Sequence, residues 1–200
     1  MSRHARAIRF IQEYCPAPKG EGHGTPLRLA GWQKEGLEAM LAPGIDSAMQ
    51  SFPRGNGKST FGAAVATWAT FDEDETGAPQ VPVVATTVGQ AIRSCYGVAV
   101  AMIKASPDLA RRSIIYTGMA TPRVFVPTNS GEMFPIANDI DGLQGLDPSL
   151  ALCDEIGFQP MEVWDALLLA GGKRSRSLTM GFGTPGLSRV VGGSPNALWR

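Results

Sequence analysis

The stretch Phe52-Pro-Arg-Gly-Asn-Gly-Lys-Ser-Thr60 constrains this chain more than any other, because Gly57-Lys58-Ser59 ends it like a phosphate-gripping loop and an apolar run follows at once. A loop of this kind curls backbone N–H groups around nucleotide phosphates and sets a lysine against the β- and γ-phosphates. Its Ser or Thr hydroxyl ligates Mg²⁺, and the helix that follows points its positive end at the anion. The full pattern, G-x-x-x-x-G-K-[ST], asks for glycine where this chain has Phe52. The setting therefore carries the argument. Upstream, Ile45 to Phe52 can form a short buried strand, weakened by Asp46 and Gln50. Downstream, Phe61 to Phe71 is Ala-rich, apolar and long enough for a three-turn helix. Strand, glycine loop and helix predict a nucleotide site; the alternative is a Gly-rich turn with an incidental lysine.

Hydrolysis at such a loop also needs an acid at the end of a second buried strand. Leu150-Ala-Leu-Cys-Asp-Glu155 supplies four apolar residues and then two adjacent carboxylates. The absence of alternation fits a strand covered on both faces of a parallel sheet. In this reading Asp154 holds Mg²⁺ through its water shell, and Glu155 orients and deprotonates the attacking water. An Asp-Glu pair alone is a common surface feature; its meaning comes from following a P-loop lysine.

Together these segments resemble the ATPase domain of phage large terminase subunits, the motors that pump DNA into capsids. Leu29-Ala-Gly-Trp-Gln33 resembles the family's L-x-x-W-Q segment, whose glutamine contacts adenine. Arg54-Gly-Asn-Gly-Lys-Ser59 resembles its variant P-loop, which begins with arginine and often lacks the first glycine, and this accounts for Phe52. Val83 to Ala91 resembles the next strand and helix start, and Gly142 to Leu150 leads into the acidic pair as in the family. Leu178-Thr-Met-Gly-Phe-Gly-Thr-Pro-Gly186 resembles the coupling motif. The resemblance implies ATP and Mg²⁺ as cofactors, and double-stranded DNA, a portal protein and a small terminase subunit as partners. It further implies a ring of like subunits working in the bacterial host cytoplasm, transiently at the procapsid portal. Residue by residue it implies that Gln33 reads adenine, that Gly55, Asn56, Gly57, Lys58, Ser59 and Thr60 cradle the phosphates, and that Lys58 neutralises transition-state charge. Ser59 and Asp154 hold Mg²⁺, Glu155 activates water, Arg54 senses the γ-phosphate, and Thr184 passes the change to the part that grips DNA. Two other readings stay open: a helicase-type RecA-like ATPase, and a truncated or split module that binds ATP but needs a partner to hydrolyse it.

The fold expected is α/β, a RecA-like (ASCE) P-loop ATPase with a mostly parallel, doubly wound sheet and helices on both faces, because strands alternate with helices. Two hundred residues at 44% hydrophobic can bury one sizeable core. No stretch is apolar enough to cross a membrane, and three widely spaced cysteines without C-x-x-C argue against a disulfide framework or zinc site. Net charge is zero, so the basic footprint of tight DNA binding is missing in bulk, and DNA enters only through the resemblance. Residues 1–25, with Arg3, His4, Arg6, Arg9 and Lys19, read as a flexible basic arm; 26–200 read as the ATPase domain. Helices are expected at Trp32 to Leu41, with Trp32, Leu37 and Met40 inward, at Gln90 to Ala105 and at Met161 to Ala170. Short strands near Ile114, Arg123 and Met133 suggest a hairpin at the sheet edge. Asp72-Glu-Asp-Glu75 reads as a solvated loop, and Asp139, Asp141 and Asp147 as loop acids. Terminases carry a nuclease in a second, C-terminal domain. None is recognised before Trp199-Arg200, so no DNA cleavage is expected from these residues.

Motors of this family complete their site with an arginine finger, worth roughly 10³–10⁵-fold in phosphoryl transfer. Ala137 to Gln144, where the family often has a basic residue, contains none. Arg123, Arg174 and Arg176 remain as candidates, with the last two favoured because they follow Gly171-Gly172 in a loop.

Overall fold

A computed structural model describes residues 1–20, 22–53, 55–73, 77–118, 122–183, 190–191 and 194–195. Its centre is a seven-stranded sheet in the order β1-β7-β6-β2-β5-β4-β3. The strands are β1 (Ser47–Ser51), β2 (Gln80–Ala85), β3 (Ile114–Tyr116), β4 (Arg123–Val126), β5 (Gly131–Ala137), β6 (Leu150–Asp154) and β7 (Leu178–Gly183). The five from β1 to β5 in that order run parallel; β4 and β3 finish the far edge antiparallel. The expected α/β, mostly parallel RecA-like sheet is what forms.

Strand β6 explains the layering. Leu150 and Leu152 enter one apolar core with α1 (Arg3–Tyr14), α2 (Gly31–Met40), α3 (Lys58–Phe71) and α5 (Cys95–Ala105). Ala151 and Cys153 enter a second, against α8 (Met161–Gly171), with Leu143 of α7 (Ile140–Gln144). Being covered on both faces, β6 has no polar face to show, which is why its sequence lacks alternation. Helix α3 is buried along its length from Phe61 to Phe71. Its alanines allow close packing, and Thr67 and Thr70 satisfy their buried hydroxyls by donating to the Ala63 and Ala66 carbonyls at 2.8 Å.

Several expectations are corrected here. Residues 1–25 are not a loose arm over their described part. Helix α1 is capped by Ser2, whose hydroxyl accepts from the Ala5 N–H, and it buries Ala7 and Ile11. Arg6 forks onto Asp72 at 3.2 and 2.9 Å, and Pro16–Pro26 closes as a bridge beside it. The apolar positions Ala7 and Ile11, four residues apart, make the inward stripe that a reading focused on charge passed over. The same contact overturns part of the Asp72–Glu75 loop: Asp72 is buried and ion-paired, and Glu73 meets Arg112 at 3.0 Å.

The helix expected from Gln90 to Ala105 is two, α4 (Val88–Arg93) and α5, broken at Ser94. At that break a β-carbon on Gly97 would stand 2.0 Å from the Ile92 carbonyl oxygen, so only glycine allows the turn. Short helix α6 (Pro107–Arg112) leads into β3. Leu37 and Met40 face the core as expected, whereas Trp32 is 44% exposed. Among the described residues no helix is long and apolar enough to cross a membrane.

Candidate nucleotide site

The site forms where the C-terminal ends of β1, β7 and β6 meet, the usual place for a ligand in an open parallel sheet. Strand β1 runs into the loop through Phe52, whose N–H donates to the Gly183 carbonyl at 2.8 Å and so continues the pairing with β7. Gly55 (φ +87°) and Gly57 (φ +72°) then take left-handed conformations that cost glycine nothing. Gly57 caps α3, and its carbonyl accepts the Phe61 N–H at 2.9 Å. Lys58 is thus the first residue of a 14-residue helix whose unpaired N–H groups open toward the loop. Asn56 steadies the turn, its amide donating to the Pro53 carbonyl at 3.2 Å.

Lys58 meets both carboxylates of the acidic strand end. Its Nζ lies 3.0 Å from Asp154 Oδ1 and 2.5 Å from Glu155 Oε1. Asp154 is almost fully buried; Glu155 is about a third exposed. Burial alone would lower the Lys58 pKa, but Asp154 and then Glu155 outweigh it, and the ammonium is held above its ordinary value. Asp154 Oδ1 also accepts the Glu155 N–H at 2.9 Å. Glu155 itself sits at φ +54°, ψ +45°, a left-handed conformation that residues with a β-carbon seldom adopt. It turns the chain sharply off β6 and brings its carboxylate round to the lysine.

Beneath the loop, Cys95 donates to the Ser59 carbonyl at 3.6 Å. Burial, with the Asp154 charge adding to it, raises the Cys95 thiol well above its ordinary value, so it sits there as a neutral, inert group. Gly62 makes room for it: a β-carbon there would be 3.1 Å from both Cys95 Sγ and the Phe182 ring. Cys153 is core, as expected.

Ser59 and Thr60 follow Lys58 in the first turn of α3. Ser59 is next in sequence to Lys58, whose ammonium meets Asp154, and a hydroxyl with a carboxylate is a hard oxygen donor set of the kind that suits Mg²⁺ shared with a phosphate. Among the described residues no group of three or more His, Cys, Asp or Glu gathers as a separate metal site, so Asp139, Asp141 and Asp147 make no cluster. Gln33 lies in the first turn of α2, next to Trp32, whose ring packs 5.4 Å from Phe52. Its Oε1 accepts the Ala30 N–H at 2.9 Å, so in this state it also caps its own helix. Arg54 and Thr184 lie outside the described residues.

The three candidate arginines separate. Arg174 stands by the N-terminal end of β7, across the sheet from the site. Its guanidinium donates to the carbonyls of Asp147 (2.7 Å), Gly77 (2.7 Å) and Ala78 (3.0 Å) and pairs with the Asp147 carboxylate at 3.2 Å. Arg176 is exposed on the same loop. Arg123 opens β4, with its guanidinium over the Tyr116 ring at 4.9 Å. Since β3 runs parallel to β5 and β4 returns antiparallel, Tyr116 and Arg123 both lie at the edge that carries the strand C-termini.

Sequence reasoning missed Gln159. It is fully buried and binds the Asp154 carbonyl and Asn138. A glutamine just after the Asp-Glu pair was its only signal.

No protein-family model matches the chain. Its sequence is 29% identical over 159 residues to the large terminase subunit of Enterobacteria phage HK97, across 78% of this chain and 31% of that protein. The crystal structure of the HK97 large terminase matches with a TM-score of 0.82 and 25% identity, over 99% of this chain and 40% of that one. The ATPase domain of the Thermus phage P74-26 large terminase matches in fold, with a TM-score of 0.61 and 18% identity over 80% of this chain and 66% of that one. A large terminase from a thermophilic bacteriophage, solved with ADP, matches at TM-score 0.54 and 12% identity over 69% of this chain and 33% of that one. The chain spans about a third of the HK97 subunit's length. In sequence and in fold it is similar to the ATPase domain of phage large terminase subunits, as its motifs imply.

Proposed function

We propose that this chain is the ATP-hydrolysing motor domain of a phage DNA-packaging terminase, driving double-stranded DNA into a procapsid. One observation carries the reading: a glycine loop and helix N-terminus deliver Lys58 directly to the Asp154–Glu155 pair at the end of a buried parallel strand. The likeness to large terminases supports this reading, in which double-stranded DNA, a portal protein, a small subunit and neighbouring copies are the partners and the host cytoplasm is the setting.

In the mechanism that follows, the N–H groups of residues 55–59 receive the phosphates and Gln33 reads the adenine edge. Lys58 leaves the carboxylates and neutralises charge that develops on the transferred phosphoryl group. Ser59 and Asp154 would hold Mg²⁺, which supplies Lewis-acid stabilisation of the phosphate oxygens. Glu155, freed of the lysine, orients the attacking water and takes its proton. Arg54 senses the γ-phosphate, and Thr184, just beyond β7, relays its loss. Of the three arginines, Arg123 suits the finger best: it opens at the catalytic edge and next to the outermost strand, where a neighbouring subunit could meet it.

The test is ATP turnover across a protein concentration series, with and without duplex DNA, beside Glu155→Gln. Turnover that rises faster than linearly, responds to duplex DNA and dies in the variant is the expected result. ATP binding without turnover at any concentration would make the chain a binding module instead. Stimulation by single strands alone would indicate a helicase-type enzyme.

A further inference from the structure

We propose that Gln159 is a positioning residue for the hydrolytic pair, fixing the turn that aims Glu155; the proposal rests on the role given to Glu155 above. Gln159 is fully buried, yet it belongs to no strand or helix. Its side chain is spent at both ends: Nε2 donates to the Asp154 carbonyl at 3.3 Å, and Oε1 accepts from Asn138 Nδ2 at 2.9 Å. A buried amide with donor and acceptor both satisfied ties together the groups it touches. Here those groups are the last carbonyl of β6 and the residue that follows β5.

The turn between Asp154 and Gln159 is closed by its own backbone, Phe158 N–H to the Glu155 carbonyl at 2.8 Å and Gln159 N–H to the Ile156 carbonyl at 3.1 Å. It is clamped at its start by Ile156, which packs so closely on β7 that a β-carbon on Gly183 would stand 2.8 Å from Ile156 Cγ2. Gln159 clamps its end. Glu155 lies between the Asp154 carbonyl that Gln159 holds and the packed Ile156, and there it keeps its left-handed conformation, which persists only where the surroundings overdetermine it. Without the Gln159 bonds the turn keeps one anchor, and the carboxylate loses its fixed bearing on Lys58 and on the water it must hold.

Gln159→Met tests this, because it keeps length and bulk while removing both hydrogen bonds. The proposal expects kcat to fall about 10–100-fold, the usual effect of removing a supporting hydrogen bond behind a reactive site, with KM for ATP changed by less than about threefold. Asn138→Ala should move kcat the same way by less. Hydrogen exchange gives a readout that does not depend on turnover: amides of 156–159 should exchange at least about tenfold faster, with α3 and β2 unchanged. Unchanged exchange across 156–159, or unchanged kcat while Glu155→Gln is inactive, overturns the proposal. Glu155→Gln turning over like the wild type would instead overturn the reading of Glu155.

Discussion

Lys58 is already engaged by two carboxylates, and under the proposed function this has a measurable consequence. If Lys58 binds the β- and γ-phosphates as proposed, its ammonium has to leave at least one of the two carboxylates it touches at 3.0 and 2.5 Å. Glu155→Gln removes one charge from that grip and leaves Asp154 in place. With Glu155 32% exposed, its pair with Lys58 is partly screened and contributes about 0.5–1 kcal/mol. Relieving it should tighten ATP binding about two- to fivefold, while turnover falls about 10²–10⁴-fold through loss of the base. Asp154→Asn separates the two roles of its carboxylate. Without magnesium it should bind ATP more tightly, for the same reason; with magnesium it should lose that gain, because a ligand to the metal is gone.

Titration with a fluorescent ATP analogue, in EDTA and in Mg²⁺, reads all four cases. The Lys58 pKa is raised above its ordinary value of 10.5, so the ion pair is fully present below that value and is lost only as pH climbs through the higher folded one. The tightening in Glu155→Gln should therefore be the same from about pH 6 to about pH 9. Unchanged or weaker binding by Glu155→Gln in both conditions would refute the idea that the acidic pair competes with nucleotide for the lysine.

Two further outcomes follow from the same geometry. Arg123→Ala should cut turnover about 10³-fold with little change in urea midpoint, whereas Arg174→Ala, which strips three carbonyls of their donor, should cost about 2–3 kcal/mol of stability in urea unfolding; the reverse pattern would return the finger to Arg174. Gly183→Ala places a methyl 2.8 Å from Ile156 Cγ2 and 3.2 Å from the Gly157 nitrogen, so it should destabilise by about 1–3 kcal/mol and lower kcat by displacing the Glu155 turn, as a melt and a turnover assay will show.

The parts of this structure that were legible in the sequence are those where a local pattern has one physical meaning. Four apolar residues ending in Asp154-Glu155 announce a strand buried on both faces, and Gly55 and Gly57 sit where left-handed backbone is needed. What was hidden depends on partners far along the chain. The burial of Asp72 cannot be read without knowing that Arg6, 66 residues away, comes to meet it. The break at Ser94 turns on the approach of Gly97 to the Ile92 carbonyl, and helix periodicity runs straight through it. Arg174 and Arg123 look alike in sequence. Only strand direction puts Arg123 at the edge that holds Lys58 and Glu155 and Arg174 at the opposite end.

Phe52 shows how a departure from a motif can be required by the fold around it. The backbone at this position still does what the loop needs, since its N–H completes the pairing with Gly183. The side chain points into the core at 1% exposure, within ring-packing distance of Trp32 (5.4 Å), Phe61 (5.8 Å) and Phe182 (5.7 Å). Glycine here would empty the middle of that cluster, at a cost on the scale of Phe→Ala in a core, about 3–5 kcal/mol. The cluster joins the helix that carries Gln33, the base of the phosphate loop, the helix that begins with Lys58, and the end of β7 that leads to Thr184. A glycine would satisfy the consensus and disconnect those four pieces; phenylalanine keeps them in one packed unit.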